Sequence, residues 1–419
     1  MNNTAKNILV LVDSLDVNRT SGARANMALV QNLGQSFNLT VLHGSESDVS
    51  LGLPETINVQ ELKWNWQYLL SRTVRLLRRY VGLNLSPFFE NKVGFSFTFL
   101  SLSYSFQRAL NFLDISNFHL VITLSQGESF VPHHAVLKSS RFHEKWLAYI
   151  HDPYPMSCYP KSYAFKGPGT DQKKRFLQVI CKHASFLSFP SLLLSEWMQK
   201  FYRFDTKKVI IIPHQIAHGM EKKSELTVES FFDKKKFIIL HAGNLLGQRD
   251  PMPLVQAFKE LHNENSKFIK RCELLFIGPI SPNHAKKIQK SELSNVRFYP
   301  SLNFEITLDL QKQASVNVII EAENEGLSPF LPAKFPHCLM SNKPILYLGP
   351  EESEVMRLLG PNYKFNSPFN NINKIKSIIN ELFKNWKLEK EFSYDSKIID
   401  YLGYEKLKIE IESIICNDL

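Results

Sequence analysis

Two unbroken apolar runs constrain this chain most. "ILVLV" at 8–12 and "FIIL" at 237–240 carry no polar side chain. Each fits a central strand covered on both faces, as parallel sheets require. After the first run comes a polar loop, "DSLDVNRTSG", then "ARANMALVQNL", in which Ala25, Ala28, Leu29 and Leu33 fall at helical spacing. A second strand in "NLTVLHGS" (38–45) completes a strand–helix–strand opening with Ser21–Gly22 at the helix entrance. Further strands are expected in "LVITLS" (120–125), "WLAYIHD" (146–152), "ASFLSFPS" (184–191) and "KVIIIPH" (208–214). A charged, irregular stretch, "GMEKKSELTVESFFDKKK" (219–236), interrupts the pattern. It restarts with "FIILHAGN" (237–244), a helix in "PMPLVQAFKELH" (251–262), "CELLFIGP" (272–279), "VRFYPS" (296–301), "ASVNVIIEA" (314–322) and "KPILYLGP" (343–350). Alternation twice over implies two doubly wound α/β domains, 1–218 and 237–395, joined by the linker 219–236. A helical tail, 396–419, can cross back to the first domain.

A chain of 419 residues is too long for one typical core, in agreement with two domains. The formal charge of +10 points to an anionic partner, whether nucleotide phosphate, nucleic acid or an acidic membrane surface. No nucleic-acid motif accompanies it and the basic residues are dispersed, so no nucleic-acid partner is expected. The five cysteines are scattered without a CxxC pair, which argues against a disulfide framework or zinc site and fits a reducing compartment. The N-terminal apolar run is too short for a signal peptide, and no later stretch is long enough to span a membrane. A cytoplasmic protein is expected. The aromatic run "VGFSFTFLSLSYSF" (93–106) reads as a buried helix.

In open α/β sheets, ligands bind beyond the carboxyl ends of the strands. Three segments of the second half fit such a site. In "HAGNLLGQRDP", Gly243 and Gly247 follow a strand and Arg249 precedes Pro251. In "FIGPI", Gly278 ends the next strand and lets a ligand approach the backbone. In "SPFLPAKF", Lys334 lies two residues after Pro332, which the pattern makes the first helical residue. An arginine and a lysine so placed suit one diphosphate, a bidentate fork beside a point charge.

These segments resemble the GT-B glycosyltransferases, in particular the large retaining family usually numbered four. "IILHAGNLLGQRDPMPLVQAF" is similar to that family's strand–loop–helix, in which a basic residue follows a glycine by six positions. Gly243 and Arg249 hold those places here. "NEGLSPFLPAKFPHCLMSNKPIL" resembles the family's donor segment, which ends in a "GKPI"-like turn, with Asn342 where glycine is usual. The resemblance implies the GT-B fold, two Rossmann-like doubly wound domains facing across a cleft, the first for the acceptor and the second for the donor. It implies that Arg249 and Lys334 hold the donor diphosphate and that the 326–330 loop, with Gly326 and Ser328, reaches the sugar. Glu325 takes the place of the first of two glutamates that the family commonly has in this segment, and the second falls on His337, whose imidazole can still exchange a ribose hydrogen bond. Asn244 stands where a basic residue often follows the glycine. In the first domain Gly22 resembles the glycine beside the donor phosphate. His151 matches a histidine that touches the donor sugar in some members; the alternative is a structural histidine capped by Asp152.

The expected activity is transfer of a sugar from a nucleotide-diphosphate-sugar to a glycan or lipid-linked hydroxyl acceptor, in bacterial surface glycan or polysaccharide synthesis. Retention of configuration is implied by the resemblance alone. No cofactor or metal is expected: no Asp-x-Asp motif accompanies the site segments, and His133 and His134 lack carboxylate or cysteine partners at ligand spacing. Arg249, Lys334 and His151 are the catalytic candidates. A nicotinamide-dependent dehydrogenase is excluded by the missing GxGxxG after the first strand. A sugar-nucleotide epimerase on the same scaffold remains the enzymatic alternative, and a non-catalytic basic nucleic-acid- or membrane-binding protein the other. His214 and His218, in "IPHQIAHG", read as hinge structure.

"WNWQYLLSRTVRLLRRYVG" (64–82) is the last feature. On a helix, Trp66, Leu69, Leu70, Val74, Leu76, Leu77, Tyr80 and Val81 share one face and Arg72, Arg75, Arg78 and Arg79 the other. One reading is a helix lying peripherally on an anionic membrane, at the inner face of the plasma membrane. The other packs the apolar stripe on the first domain's sheet and leaves the arginines solvated.

Overall fold

The structure, a computed structural model, describes residues 6–46, 55–216, 231, 233–291, 293–322 and 326–416. It resolves into two compact units. The first runs to Tyr159 and adds Ala164–Ala217 and the C-terminal segment from Tyr404; the second comprises Pro160–Tyr163 and His218–Gly403.

The first unit is built on seven parallel strands: β1 (Asn7–Val12), β2 (Asn38–His43), β3 (Glu55–Asn58), β4 (Leu120–Leu124), β5 (Trp146–Tyr149), β6 (Phe186–Phe189) and β7 (Val209–Ile211). Their order in the sheet is β3-β2-β1-β4-β5-β6-β7. In β1 and β4 every residue but Asn7 is buried, as expected of strands sandwiched between helices. The edge strand β3, "ETIN", is exposed throughout and has no apolar run to announce it. The helices are α1 (Ser21–Leu33), α2 (Trp66–Leu76), α3 (Ser86–Val93), α4 (Phe97–Asn111), α5 (Val131–Leu137), α6 (Thr170–His183) and α7 (Leu192–Gln199). Phe106, Phe130, Phe142 and Trp146 are fully or almost fully buried in this unit's core.

The second unit repeats the plan. Its strands β8 (Phe237–Ala242), β9 (Cys272–Ile277), β10 (Val296–Tyr299), β11 (Val316–Ile320), β13 (Ile345–Leu348) and β15 (Asn366–Ser367) form a parallel sheet in the order β10-β9-β8-β11-β13-β15. The short strands β12 (Leu327–Ser328) and β14 (Glu352–Ser353) pair separately. Its helices are α8 (Met252–Glu264), α9 (Ser266–Arg271), α10 (Pro282–Gln289), α11 (Phe304–Gln313), α12 (Phe335–Met340), α13 (Glu354–Leu359), α14 (Ile372–Lys387) and α15 (Ser396–Tyr401). In both sheets the chain starts in the middle, winds to one edge and returns to build the other. The reversal lies between β1 and β4 in the first unit and between β8 and β11 in the second. Such a reversal leaves a crevice at the strands' carboxyl ends.

Several local expectations need correction. The run 93–106 is not one buried helix. α3 ends at Val93, Gly94 takes φ +91°, and the Ser96 hydroxyl caps a new helix by accepting from the Phe99 N–H. Within α4 the part 97–106 is buried or half-buried throughout, as expected, with Ser101, Ser103, Ser105 and Phe106 buried. The C-terminal tail is two helices. α15 stays with the second unit, whereas α16 (Tyr404–Cys416) packs on α1 of the first. Ser36 Oγ donates to Tyr404 Oη at 2.9 Å. Residues 219–230 and 232 of the linker lie outside the described residues. Asn342, in the turn where glycine is usual, has φ +49°, a left-handed conformation that asparagine tolerates. Among the described residues no helix is long and apolar enough to cross a membrane.

Candidate functional site

The richest constellation in the second unit sits where β8 and β11 end. His241, the penultimate residue of β8, is fully buried. Its Nδ1 lies 3.1 Å from the Val318 carbonyl, which can only accept, so Nδ1 carries the hydrogen. That leaves the Nε2 lone pair to receive Lys334 Nζ at 3.2 Å. Burial, Lys334 and Arg249 hold the His241 ring neutral, far below its ordinary pKa.

Lys334 reaches this point by a route different from the one expected. Pro332 does not begin the helix. α12 starts at Phe335, with Lys334 at its N-cap position and Pro336 in its first turn. The Pro332 carbonyl instead accepts from the Phe335 N–H at 2.8 Å, closing a turn that delivers Lys334 towards β8. Burial and the neighbouring Arg249 charge depress the lysine to about 7, against an opposing pull from Cys338 and Glu321. The side chain is therefore part neutral amine near pH 7 and poised to gain a proton whenever an anion arrives.

Gly243, just past β8, explains how the lysine fits. A Cβ built there would lie 2.6 Å from Lys334 Nζ, and its φ of +147° already favours glycine. Gly278, past β9, is equally constrained, because its Cβ would meet the Gly243 carbonyl oxygen at 2.6 Å. Arg249 follows in the loop before α8, which Asp250 secures by accepting from the Met252 N–H at 2.8 Å. The guanidinium bonds to Tyr163 and lies close enough to lower both Lys334 and His241.

Glu321, the residue after β11, completes the group. One carboxylate oxygen accepts from Ser328 Oγ, while Oε1 is buried with no partner among the described residues. Burial raises this carboxyl to about 7, opposed by Ser328, Arg249 and Lys334. The arrangement thus holds two cations, one carboxyl and a bare backbone edge at a strand terminus. It can bind a dianion and exchange a proton near neutrality.

The structure thus brings together Gly243, Gly278, Arg249, Ser328 and Lys334. Asn244 is exposed and turns its side chain to the Leu246 N–H at 2.7 Å. His337 packs its ring edge-on to Phe304, 5.2 Å away. Gly326 has φ +87° with open space where a Cβ would stand. Glu325 lies outside the described residues. Three members of the group escaped the sequence reading: His241, Glu321 and Tyr163. The first two had a signal, since each is a polar residue closing an otherwise apolar strand run. Tyr163 had none; it comes from a short segment that the chain contributes to the second unit from within the first.

Gly22 and His151 belong to the first unit. Gly22 opens α1, whose N-cap Thr20 accepts from the Ala23 N–H and receives Gln126 Nε2 at 2.7 Å. His151 is buried, with its ring stacked on His214 at 5.5 Å and its backbone N–H donating to Ser125 Oγ. Burial and the adjacent His214 and His133 keep it neutral, so it can offer a hydrogen bond but no charge. Just after β1, burial raises Asp13 to about 6, opposed by a hydrogen bond with Ser129.

No family model matches the chain, and no curated protein matches it. Solved structures do. A glycosyltransferase from Rickettsia africae aligns with TM-score 0.60 and 13% identity over 99% of this chain and all of that one. The Anabaena HepE protein, in complex with UDP and glucose, aligns with TM-score 0.59 and 10% identity over 98% and 99%. The trehalose-6-phosphate synthase OtsA aligns with TM-score 0.64 and 9% identity over 99% and 100%. The fold is that of the GT-B glycosyltransferases.

Proposed function

We propose that the chain transfers a glycosyl group from a nucleoside diphosphate sugar to a hydroxyl acceptor, with Arg249 and Lys334 holding the diphosphate. The observation that carries this reading is the Lys334 ammonium, held by His241 against the bare edge of Gly243 where the second sheet reverses. Cleavage of the anomeric C–O bond leaves its electron pair on the diphosphate oxygen. A protonated lysine and a fixed guanidinium already aimed there stabilise that charge without rearranging. A lysine near 7 before binding takes up a proton as the diphosphate approaches and becomes fully cationic when the charge develops. Two cations of this kind do the work a divalent metal does elsewhere, which favours a metal-independent reaction.

Similarity to a protein crystallised with UDP and glucose makes uridine nucleotides the first donors to try. Retention of configuration and membership of family four rest on the segments around Gly243 and Lys334, and a place in polysaccharide synthesis on a lipid-linked acceptor. The test is release of nucleoside diphosphate from a panel of nucleotide sugars, with and without glycan acceptors. Acceptor-dependent release supports transfer. Conversion of the nucleotide sugar with no acceptor present would favour an epimerase instead, and turnover of none of the panel would count against both.

A further inference from the structure

The amphipathic segment of the first unit does not hide its apolar side. α2 is anchored by Ser71 and Val74, its only buried residues, which lie at the border between its apolar and basic stripes. Ser71 Oγ meets Thr98 Oγ1 of α4 at 2.7 Å, and Arg75 bonds to both hydroxyls. The helix then tightens into a π-helical turn, Leu77–Val81, closed by Gly82 in the left-handed conformation. This seating leaves Leu69 and Leu76 more than half exposed, at 53% and 54%, with Tyr80 at 74%. Trp64, just before the helix, is 94% exposed, and Val81 and Phe88 continue the same exposed apolar character. The alternative reading, in which the stripe packs on the sheet, does not hold: α2 packs on α4 and leaves most of the stripe exposed.

We propose that this surface, formed by α2, the turn after it and α3, docks onto an anionic lipid bilayer. The chain from Leu62 to Phe89 contains five basic residues, Lys63, Arg72, Arg75, Arg78 and Arg79, and no aspartate or glutamate. An exposed apolar face bordered mainly by positive charge, with the half-buried Glu61 and Glu90 at its two ends, matches a bilayer of negative headgroups over hydrocarbon. The aromatic residues have the character found at membrane interfaces, where an apolar ring sits at headgroup depth. Arg72 lies over the Tyr68 ring at 4.9 Å and Arg79 over the Tyr80 ring at 5.6 Å, which places a cation beside these two rings. A protein partner would need a matching acidic, apolar groove; a bilayer supplies both features on any patch of its surface.

This inference stands apart from the sugar-transfer reading, and its test uses no nucleotide. The whole protein is floated with vesicles containing phosphatidylglycerol, or with phosphatidylcholine alone, at low salt (about 50 mM) and high salt (about 500 mM). Wild type should co-float with the anionic vesicles at low salt. Binding should drop at least about tenfold with neutral lipid or high salt. The Arg72→Glu/Arg78→Glu/Arg79→Glu variant should lose the same factor, with Arg75 kept because it bonds to Ser71 and Thr98. The Leu69→Ser/Leu76→Ser/Tyr80→Ser variant should also detach. Brominated phosphatidylglycerol should quench wild-type tryptophan emission, a readout that needs no variant. The proposal is overturned if wild type ignores anionic vesicles at low salt, if the arginine variant binds equally, or if emission is unquenched. Self-association through this face in sedimentation, without vesicle binding, would assign it to a second copy of the chain instead.

Discussion

Burial holds Lys334 and Glu321 away from their ordinary ionisation in opposite directions, the lysine down to about 7 and the carboxyl up to about 7. Between pH 7 and 10.5 the unfolded chain binds a proton at Lys334 that the native state does not, so stability rises with pH across that window. The cost of the lysine is therefore fully present below pH 7 and fades towards pH 10.5. Lys334→Met keeps the volume and removes the charge. At pH 7 it should raise the stability of the ligand-free protein by about 1–3 kcal/mol, after allowance for its partial exposure. The gain should shrink at pH 10, which thermal melts at the two pH values would check. An unchanged or lowered melting temperature at pH 7 would remove the electrostatic account. The same proton governs binding. Nucleoside diphosphate affinity should fall by up to about tenfold per pH unit above 7, where free Lys334 is neutral and a bound anion must restore its charge. Flat affinity from pH 7 to 9 would show that Lys334 does not face the ligand. Gly243 was legible as a site residue because glycine after an apolar strand has few other uses. The reason for it was not, since only the structure shows the lysine filling the space a Cβ would take.

At the level of elements, the central strands announced themselves by unbroken apolar runs, because both faces of β1, β4, β8 and β11 are covered. What the sequence did not announce was short or exposed: β3 at the edge, and the two-residue strands β12, β14 and β15, whose pairing depends on neighbours far away in the chain. The helix boundary at Lys334 was misplaced by one turn. Two prolines four residues apart, Pro332 and Pro336, both suit a helix start, and the choice depends on packing. The amphipathic stripe of α2 was legible as periodicity, but periodicity alone does not say which side meets the protein. In α1 the Thr20 hydroxyl both caps the helix and receives Gln126, tying the loop after β4 to the helix entrance. Thr20→Ala should cost about 1 kcal/mol of stability, the usual loss for an N-cap. A denaturant melt with no shift in midpoint would mean that Gln126 or water replaces the cap.

Across the whole molecule the chain exchanges segments between its units. Pro160–Tyr163 joins the second unit, and α16 returns to the first, where Leu407, Ile411, Ile414 and Ile415 are buried. Removing Tyr404–Leu419 exposes the surface these four cover, a loss on the order of 5 kcal/mol or more at typical burial energies. The first unit's melting temperature should then fall by about 10 °C or more. The second unit should keep its nucleotide affinity, since none of its site residues lies in the deleted helix; an unchanged melting curve would deny α16 its role. The central claim concerns the second unit alone: two cations at the end of β8 and β11 hold a diphosphate. Calorimetric titration of UDP into the full-length protein in excess EDTA tests it most directly, with Arg249→Ala and Lys334→Ala alongside. Saturable binding by wild type is predicted, weakened about 10- to 100-fold in each variant, the usual loss of a charged hydrogen bond. Undiminished affinity in both variants, or no binding of UDP or any other nucleoside diphosphate by wild type, would contradict it.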